Sequence, residues 1–172
     1  IGQAIARRGA LGFGMKVIYH NRTRLSAEEE AAVQAEYVGK DELLRRADHV
    51  VVVLPMTPET RHYIGAPELA LMKPGSILVN IGRGGVVDDA ALAQALREGR
   101  IAAAGLDVFE GEPAVHPELL ACTNVALTPH IASASRPTRL AMANLAADNL
   151  IGYLLHGKPL TPLNTPALPA KH

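Results

Sequence analysis

Residues 76–99 read S-I-L-V-N-I-G-R-G-G-V-V-D-D-A-A-L-A-Q-A-L-R-E-G. The run S-I-L-V-N-I (76–81) is continuously apolar until Asn80 rather than alternating, which suits a strand covered on both faces. The loop G-R-G-G strips neighbouring side chains from a single cation, Arg83. The segment D-D-A-A-L-A-Q-A-L-R-E-G (88–99) opens on aspartate, repeats leucine at Leu92 and Leu96, and stops at Gly99, the marks of a capped helix. A strand that feeds a helix through a glycine loop is the unit from which parallel sheets are built. Arg83 is then either a solvated turn residue or an anion-binding group at the mouth of that sheet.

The same alternation extends in both directions. M-K-V-I-Y-H (15–20), H-V-V-V-V-L-P (49–55), I-A-A-A-G-L-D-V (101–108) and N-V-A-L-T-P (124–129) are predicted strands. Residues 1–11 and 26–34 are predicted helices, the second with Ser26 as N-cap and Glu29 completing a capping box. The longest helix is expected over 137–157, stopped by Gly157 and Pro159. The pattern predicts an α/β fold with a doubly wound, Rossmann-type parallel sheet over residues 1–157 and an extended, proline-containing tail over 158–172. Ligands of such sheets bind beyond the carboxyl ends of the strands. Asn21 and Arg22 follow the first predicted strand, Pro55 the second and Arg83 the third; Asp107, Glu110 and Glu112 follow the fourth, and His130 the fifth. Solvated loop charges would not be expected to gather so regularly at one edge.

Composition narrows the function classes. The 172 residues carry 17 basic and 17 acidic side chains, so no nucleic-acid partner is implied. No apolar run approaches the roughly 20 residues that span a bilayer, and no membrane partner is expected. The single cysteine, Cys122, excludes an internal disulfide framework and fits a reducing, cytoplasmic setting. It is expected to be a small buried residue rather than a nucleophile. No His/Cys cluster has metal-ligand spacing, so no metal is expected, and His20, His49, His62, His116, His156 and His172 receive no role.

Three motifs, L-V-N-I-G-R-G-G-V-V-D, A-A-G-L-D-V-F-E-G-E-P and T-P-H-I-A-S-A-S, together resemble the D-isomer-specific 2-hydroxyacid dehydrogenases. The resemblance runs from Ile1 to about Pro162. Within that family V-I-Y-H-N-R and T-R-L-A-M-A-N-L-A-A-D-N-L are most similar to glyoxylate/hydroxypyruvate reductases, the 2-ketogluconate reductase kind included. It implies an oxidoreductase that moves hydride between NAD(P)H and a small 2-keto acid or D-2-hydroxy acid, in a homodimer. It also implies that the first strand of the sheet, the first two glycines of a G-x-G-x-x-G loop and an N-terminal substrate domain lie outside this sequence. Ile1 and Gly2 match the last two positions of that loop and belong at the pyrophosphate.

Reduction of a 2-keto acid needs a proton donor, a group that keeps the donor protonated, and a cation for the substrate carboxylate. The resemblance gives the first role to His130, whose imidazole titrates near neutrality. Glu112 matches the carboxylate that pairs with it and raises its pKa; Glu110 competes, but the family spacing from Asp107 selects Glu112. Arg83 matches the carboxylate-gripping residue, since a guanidinium makes two parallel hydrogen bonds that lysine cannot copy. Gly82 and Gly84 are expected to clear space for cofactor and substrate. Asp107 resembles the acceptor for the nicotinamide carboxamide, Leu54, Pro55, Ile81 and Ala132 line the cofactor, and Thr60 is a further cofactor position. NAD enzymes place an acid at the end of the first visible strand, yet Tyr19 to Leu25 contains none. Arg22 and Arg24 offer cations there, and Asn21 and Thr23 offer hydrogen bonds, which predicts NADPH with Arg22 as the main 2′-phosphate contact. The alternatives are a nucleotide-sensing, corepressor-like protein and a phosphoglycerate dehydrogenase; the second commonly carries the acid that is missing here.

Overall fold

A computed structural model describes residues 1–163, so the predicted tail lies outside the described residues from 164 onward. The chain divides into two compact units, Ile1–Pro129 and the segment from His130 on.

The first unit is an α/β assembly with parallel strands throughout. Strands β1 (Val17–Tyr19) and β2 (Ala35–Tyr37) form one ladder. Strands β3 (His49–Val52), β4 (Ile77–Asn80), β5 (Ala103–Leu106) and β6 (Val125–Leu127) form a second, in that order. The register is continuous across the larger sheet: Val52, Asn80 and Leu106 lie side by side, and Leu106 pairs with Leu127. The polar segments that follow β3, β4, β5 and β6 therefore leave from one edge. In the doubly wound order the strand before the glycine loop lies between two such ladders. No ladder joins β1 to β3 among the described residues.

Helices α1 (Gly2–Arg7), α2 (Ala27–Val33), α3 (Lys40–Arg46), α4 (Ala66–Leu71), α5 (Asp89–Arg97) and α6 (Pro117–Leu120) connect the strands. The expected Ser26 cap is present, with its hydroxyl accepting from the Glu29 amide and the Glu29 carboxylate accepting from the Ser26 amide. The opening helix is not α-helical to its end, since Arg8–Gly12 widen into a π-helical turn around two glycines. Strand β2 and helices α3, α4 and α6 were not expected from the apolar pattern. The strand A-E-Y has no apolar run, and the three helices span 7, 6 and 4 residues, too few for a periodicity to show. The core joins Val50, Val52, Leu78, Ala104 and Leu106 of the sheet to Leu44, Leu69, Leu92, Leu96 and Leu119 of the helices, with Ile18 of β1 packed against it.

In the second unit, α7 (Arg136–His156) ends at Gly157 in the left-handed conformation, where the sequence predicts its stop, and its start is capped by Ser135, which the sequence reading did not single out. Asn149 exchanges two hydrogen bonds with Thr161 and folds the following segment back on the helix. No described helix is long and apolar enough to cross a membrane.

Candidate active site

The loop after β4 is organised by one buried amide. Asn80 ends the strand at 1% exposure. Its Oδ1 accepts from the Gly82 amide at 3.1 Å, and its Nδ2 donates to the Arg83 carbonyl at 3.2 Å. These bonds satisfy main-chain groups that the departing loop would otherwise leave unpaired. They also turn Arg83 outward, where it is exposed and its Nη1 donates to the Gly82 carbonyl at 2.7 Å. The glycines have a physical reason that differs from the expected one. A Cβ on Gly84 would collide with the Phe109 carbonyl, and one on Gly82 would come within 2.7 Å of the Leu54 carbonyl oxygen. Their missing side chains admit the backbones of the neighbouring strand ends, which brings three loops into contact.

A cleft lies where the loops after β3 and β4 meet. A cavity of about 370 Å³ is lined by Ile1, Val53, Leu54, Pro55, Met56, Ile81, Gly82 and Arg83. Six of the sequence-predicted positions thus share one concave surface, and Gly2 follows at the start of α1. Its apolar walls and single cation suit a flat aromatic ring and an anionic group side by side. Thr60 contributes differently: its hydroxyl donates to the Pro55 carbonyl at 2.7 Å and accepts from the Thr57 amide at 2.7 Å. The hydroxyl is engaged in shaping the loop that presents Leu54 and Pro55.

Asp107 follows β5 and is buried, with its Oδ1 accepting from the Thr128 hydroxyl at 2.6 Å. Thr128 stands just past β6, so this bond ties two strand ends together. The exposed Glu112 precedes a cis peptide bond to Pro113, and its Oε1 accepts from the Phe109 amide at 3.0 Å. Glu110 points elsewhere, to Arg61 at 2.7 Å and His62 at 3.0 Å. The structure therefore separates the two acids that competed for one role. In the second unit, His130 is exposed and adopts a left-handed backbone with φ 52°, and Ile131 and Ala132 follow it.

The sequence model described as D-isomer specific 2-hydroxyacid dehydrogenase, NAD binding domain, matches residues 1–132. The chain belongs to the D-isomer-specific 2-hydroxyacid dehydrogenase family. Glyoxylate reductase of Thermococcus onnurineus is 54% identical over 168 residues, which make up 98% of this chain and 50% of that protein. The holo form of Rhodotorula graminis D-mandelate dehydrogenase superposes with a TM-score of 0.89 at 41% identity, covering 98% of this chain and 49% of that one. The NADPH-dependent glyoxylate/hydroxypyruvate reductase of Sinorhizobium meliloti, solved with NADP and malonate, gives a TM-score of 0.89 at 41% identity, covering 100% and 53%. The chain spans about half the length of the curated relatives it matches.

For a dehydrogenase of this family the loop after β1 faces the question of cofactor choice. Arg24 donates two hydrogen bonds to Glu30, at 2.8 and 2.9 Å, and lies 5.5 Å from the centre of the Tyr37 ring. The Arg24 guanidinium, followed by the Tyr19 hydroxyl, pulls the Glu30 carboxyl down to about 2. Tyr37 also donates to the Asn21 carbonyl at 3.4 Å, so the loop is held at both ends. Arg24 is thereby committed to the protein. Arg22 is exposed, as are Asn21, Thr23 and Arg24, and its charge adds to the Thr57 hydrogen bond in lowering the Glu59 carboxyl.

Asn80, Thr128, Glu30 and Tyr37 were not singled out from the sequence as site-building residues. Asn80 carried the one available signal, a polar side chain ending an apolar run. The partners of the other three are set by folding. Likewise His62, Asp88 and Glu110, which have no metal-ligand spacing along the chain, bring donor atoms within 4.8 Å of one another.

Proposed function

We propose that this chain is the cofactor-binding part of an NADPH-dependent reductase of small 2-keto acids, with glyoxylate and hydroxypyruvate as its substrates. The observation that carries the proposal is the cleft that gathers Ile1, Leu54, Pro55, Ile81 and Gly82 around Arg83 at the carboxyl edge of a parallel sheet. The family likeness and the glyoxylate reductases at about half identity support the same reaction.

The bound nicotinamide supplies the hydride that reduces the carbonyl carbon. Arg83 holds the substrate carboxylate through its two-pronged guanidinium, in a loop pinned by Asn80. His130 delivers the proton to the carbonyl oxygen as charge develops there, and Glu112 serves as the carboxylate that favours the protonated imidazole. Buried Asp107, held by Thr128, takes the carboxamide end of the cofactor. Leu54, Pro55, Ile81 and Ala132 exclude water from the ring, with Thr60 shaping the loop below it. Ile1 and Gly2 receive the pyrophosphate.

NADPH is preferred over NADH in this proposal because no acid stands between Tyr19 and Leu25 to repel a 2′-phosphate. With Arg24 committed to Glu30, the phosphate falls to Arg22, with Asn21 and Thr23 beside it. Homodimeric assembly follows the family likeness, and a reducing cytoplasmic compartment suits a lone thiol.

The test uses the full-length protein, following loss of reduced cofactor with glyoxylate and hydroxypyruvate in NADPH and NADH. Turnover is expected with both acids, and Arg22→Ala should raise the KM for NADPH while leaving that for NADH nearly unchanged. Cofactor binding without turnover on any 2-keto acid would refute the proposed reaction.

A further inference from the structure

Three strand-end loops meet at one imidazole that the proposed chemistry does not use. The backbone of His62 is in the left-handed region at φ 49°, and its amide donates to the Gly85 carbonyl at 2.7 Å. Next to it, Ile64 donates to Val86 and accepts from Asp88, so the loop after β3 is laced to the loop after β4. The His62 side chain extends the lacing to the loop after β5. Its Nδ1 lies 3.5 Å from Asp88 Oδ2, and its Nε2 lies 3.0 Å from both oxygens of Glu110.

Glu110 is gripped at both ends. Arg61 donates to its carboxylate at 2.7 Å, and its amide donates to the buried Asp89 carboxylate at 3.0 Å. The adjacent amide, that of Phe109, is the one that holds Glu112 Oε1 at 3.0 Å. Any slackening at Glu110 therefore passes through one peptide unit to Glu112. The charged groups facing the imidazole are Asp88 and Glu110, with Arg61 behind Glu110 and Asp89 on its amide. The same donors have the make-up of a metal site, but Arg61 already balances Glu110, and the hydrogen bonds account for the cluster without an ion.

We propose that His62 is a positioning residue: by bridging Asp88 and Glu110 it fixes the Phe109–Pro113 loop and aims the Glu112 carboxylate. The inference rests on the role given to Glu112 under Proposed function. A misaimed Glu112 would support the protonated imidazole of His130 less well, so the group that must be protonated for reduction would lose its proton at lower pH.

The experiment measures kcat and kcat/KM for glyoxylate reduction with NADPH across pH in the full-length enzyme, for His62→Ala, His62→Gln, Glu110→Ala, the double alanine variant and Glu112→Gln. His62→Ala should lower kcat on the order of tenfold to a hundredfold, the scale of a small misplacement of a catalytic group. It should move the alkaline limb of the profile to lower pH and leave the KM for NADPH little changed. His62→Gln, whose amide can still donate to Glu110, should recover part of both losses. Glu110→Ala should reproduce the displacement, which keeps the test alive if His62→Ala does not fold, and the double variant should be no worse than either single one. A wild-type profile in His62→Ala beside a displaced one in Glu112→Gln overturns the role of His62 alone. An undisplaced profile in Glu112→Gln removes the assignment of Glu112 itself, and the role of His62 falls with it.

Discussion

Helices α5 and α7 are both rich in apolar residues and both begin at a side-chain cap, Asp88 accepting from the Ala91 amide and Ser135 from that of Thr138. They differ in where the apolar residues fall. On α5, Leu92, Ala93, Ala95 and Leu96 form one stripe and are all buried. On α7 the apolar residues run round the helix and none is buried; Leu154 and Leu155 are 69% and 72% exposed. Capping and propensity suffice to start a helix. On α5 the stripe presses one face against the sheet and gives the helix its place in the core.

The largest effect that would sharpen this contrast is at Leu92, which has no exposed surface. Leu92→Ala is expected to cost about 2–5 kcal/mol, read from the urea midpoint of this chain. Next is Asn80→Ala, which leaves the Gly82 amide and the Arg83 carbonyl without their buried partner and should cost about 1–3 kcal/mol. Under the proposed function, the same variant of the full-length protein should also raise the KM for glyoxylate, since the loop carrying Arg83 is no longer pinned.

Asp89 at the start of α5 gives a contrast in pH. Burial pushes its carboxyl above the usual carboxylate range, against the pull of the Glu110 amide. A raised folded-state pKa contributes stability that is complete below the unfolded value and is lost as pH rises through the folded value. Asp89→Asn keeps an acceptor for Glu110 and abolishes the titration. The variant should therefore gain on wild type as pH rises through and above the ordinary carboxylate range, in paired urea titrations. A difference independent of pH would show that the carboxyl is ionised as readily in the folded chain as in the unfolded one. The smallest effect belongs to α7, where Leu154→Ala should change stability by no more than about 0.5 kcal/mol. A loss there as large as that of Leu92→Ala would break the comparison.

The candidate site was legible to the extent that the residues proposed for it stand at strand ends. Arg83, Asp107, Glu112 and His130 each follow a run of apolar residues closely enough for the edge to be counted off. Arg24 was not legible, because the sequence shows only a cation in a loop, and its bond to Glu30 depends on α2 packing beside β1. Gly84 was legible as a glycine and misleading as to its purpose, since the atom it makes room for lies in the loop after β5. His62 offered nothing along the chain, standing 48 residues from the glutamate it holds.

By itself, then, the sequence determined the strand–helix alternation, the caps at Ser26 and Asp88, the stop at Gly157, and the polar residues at the sheet edge. All of these are set by neighbours within a few positions, through periodicity and local hydrogen bonds. The tertiary structure alone decided which cation of the loop after β1 is bonded to Glu30, which of two nearby acids is tied to His62, and why the glycines must be glycines. Those outcomes depend on backbones and charges that meet only when separate strands are brought to one edge, at distances of about 3 Å that no spacing in the chain encodes.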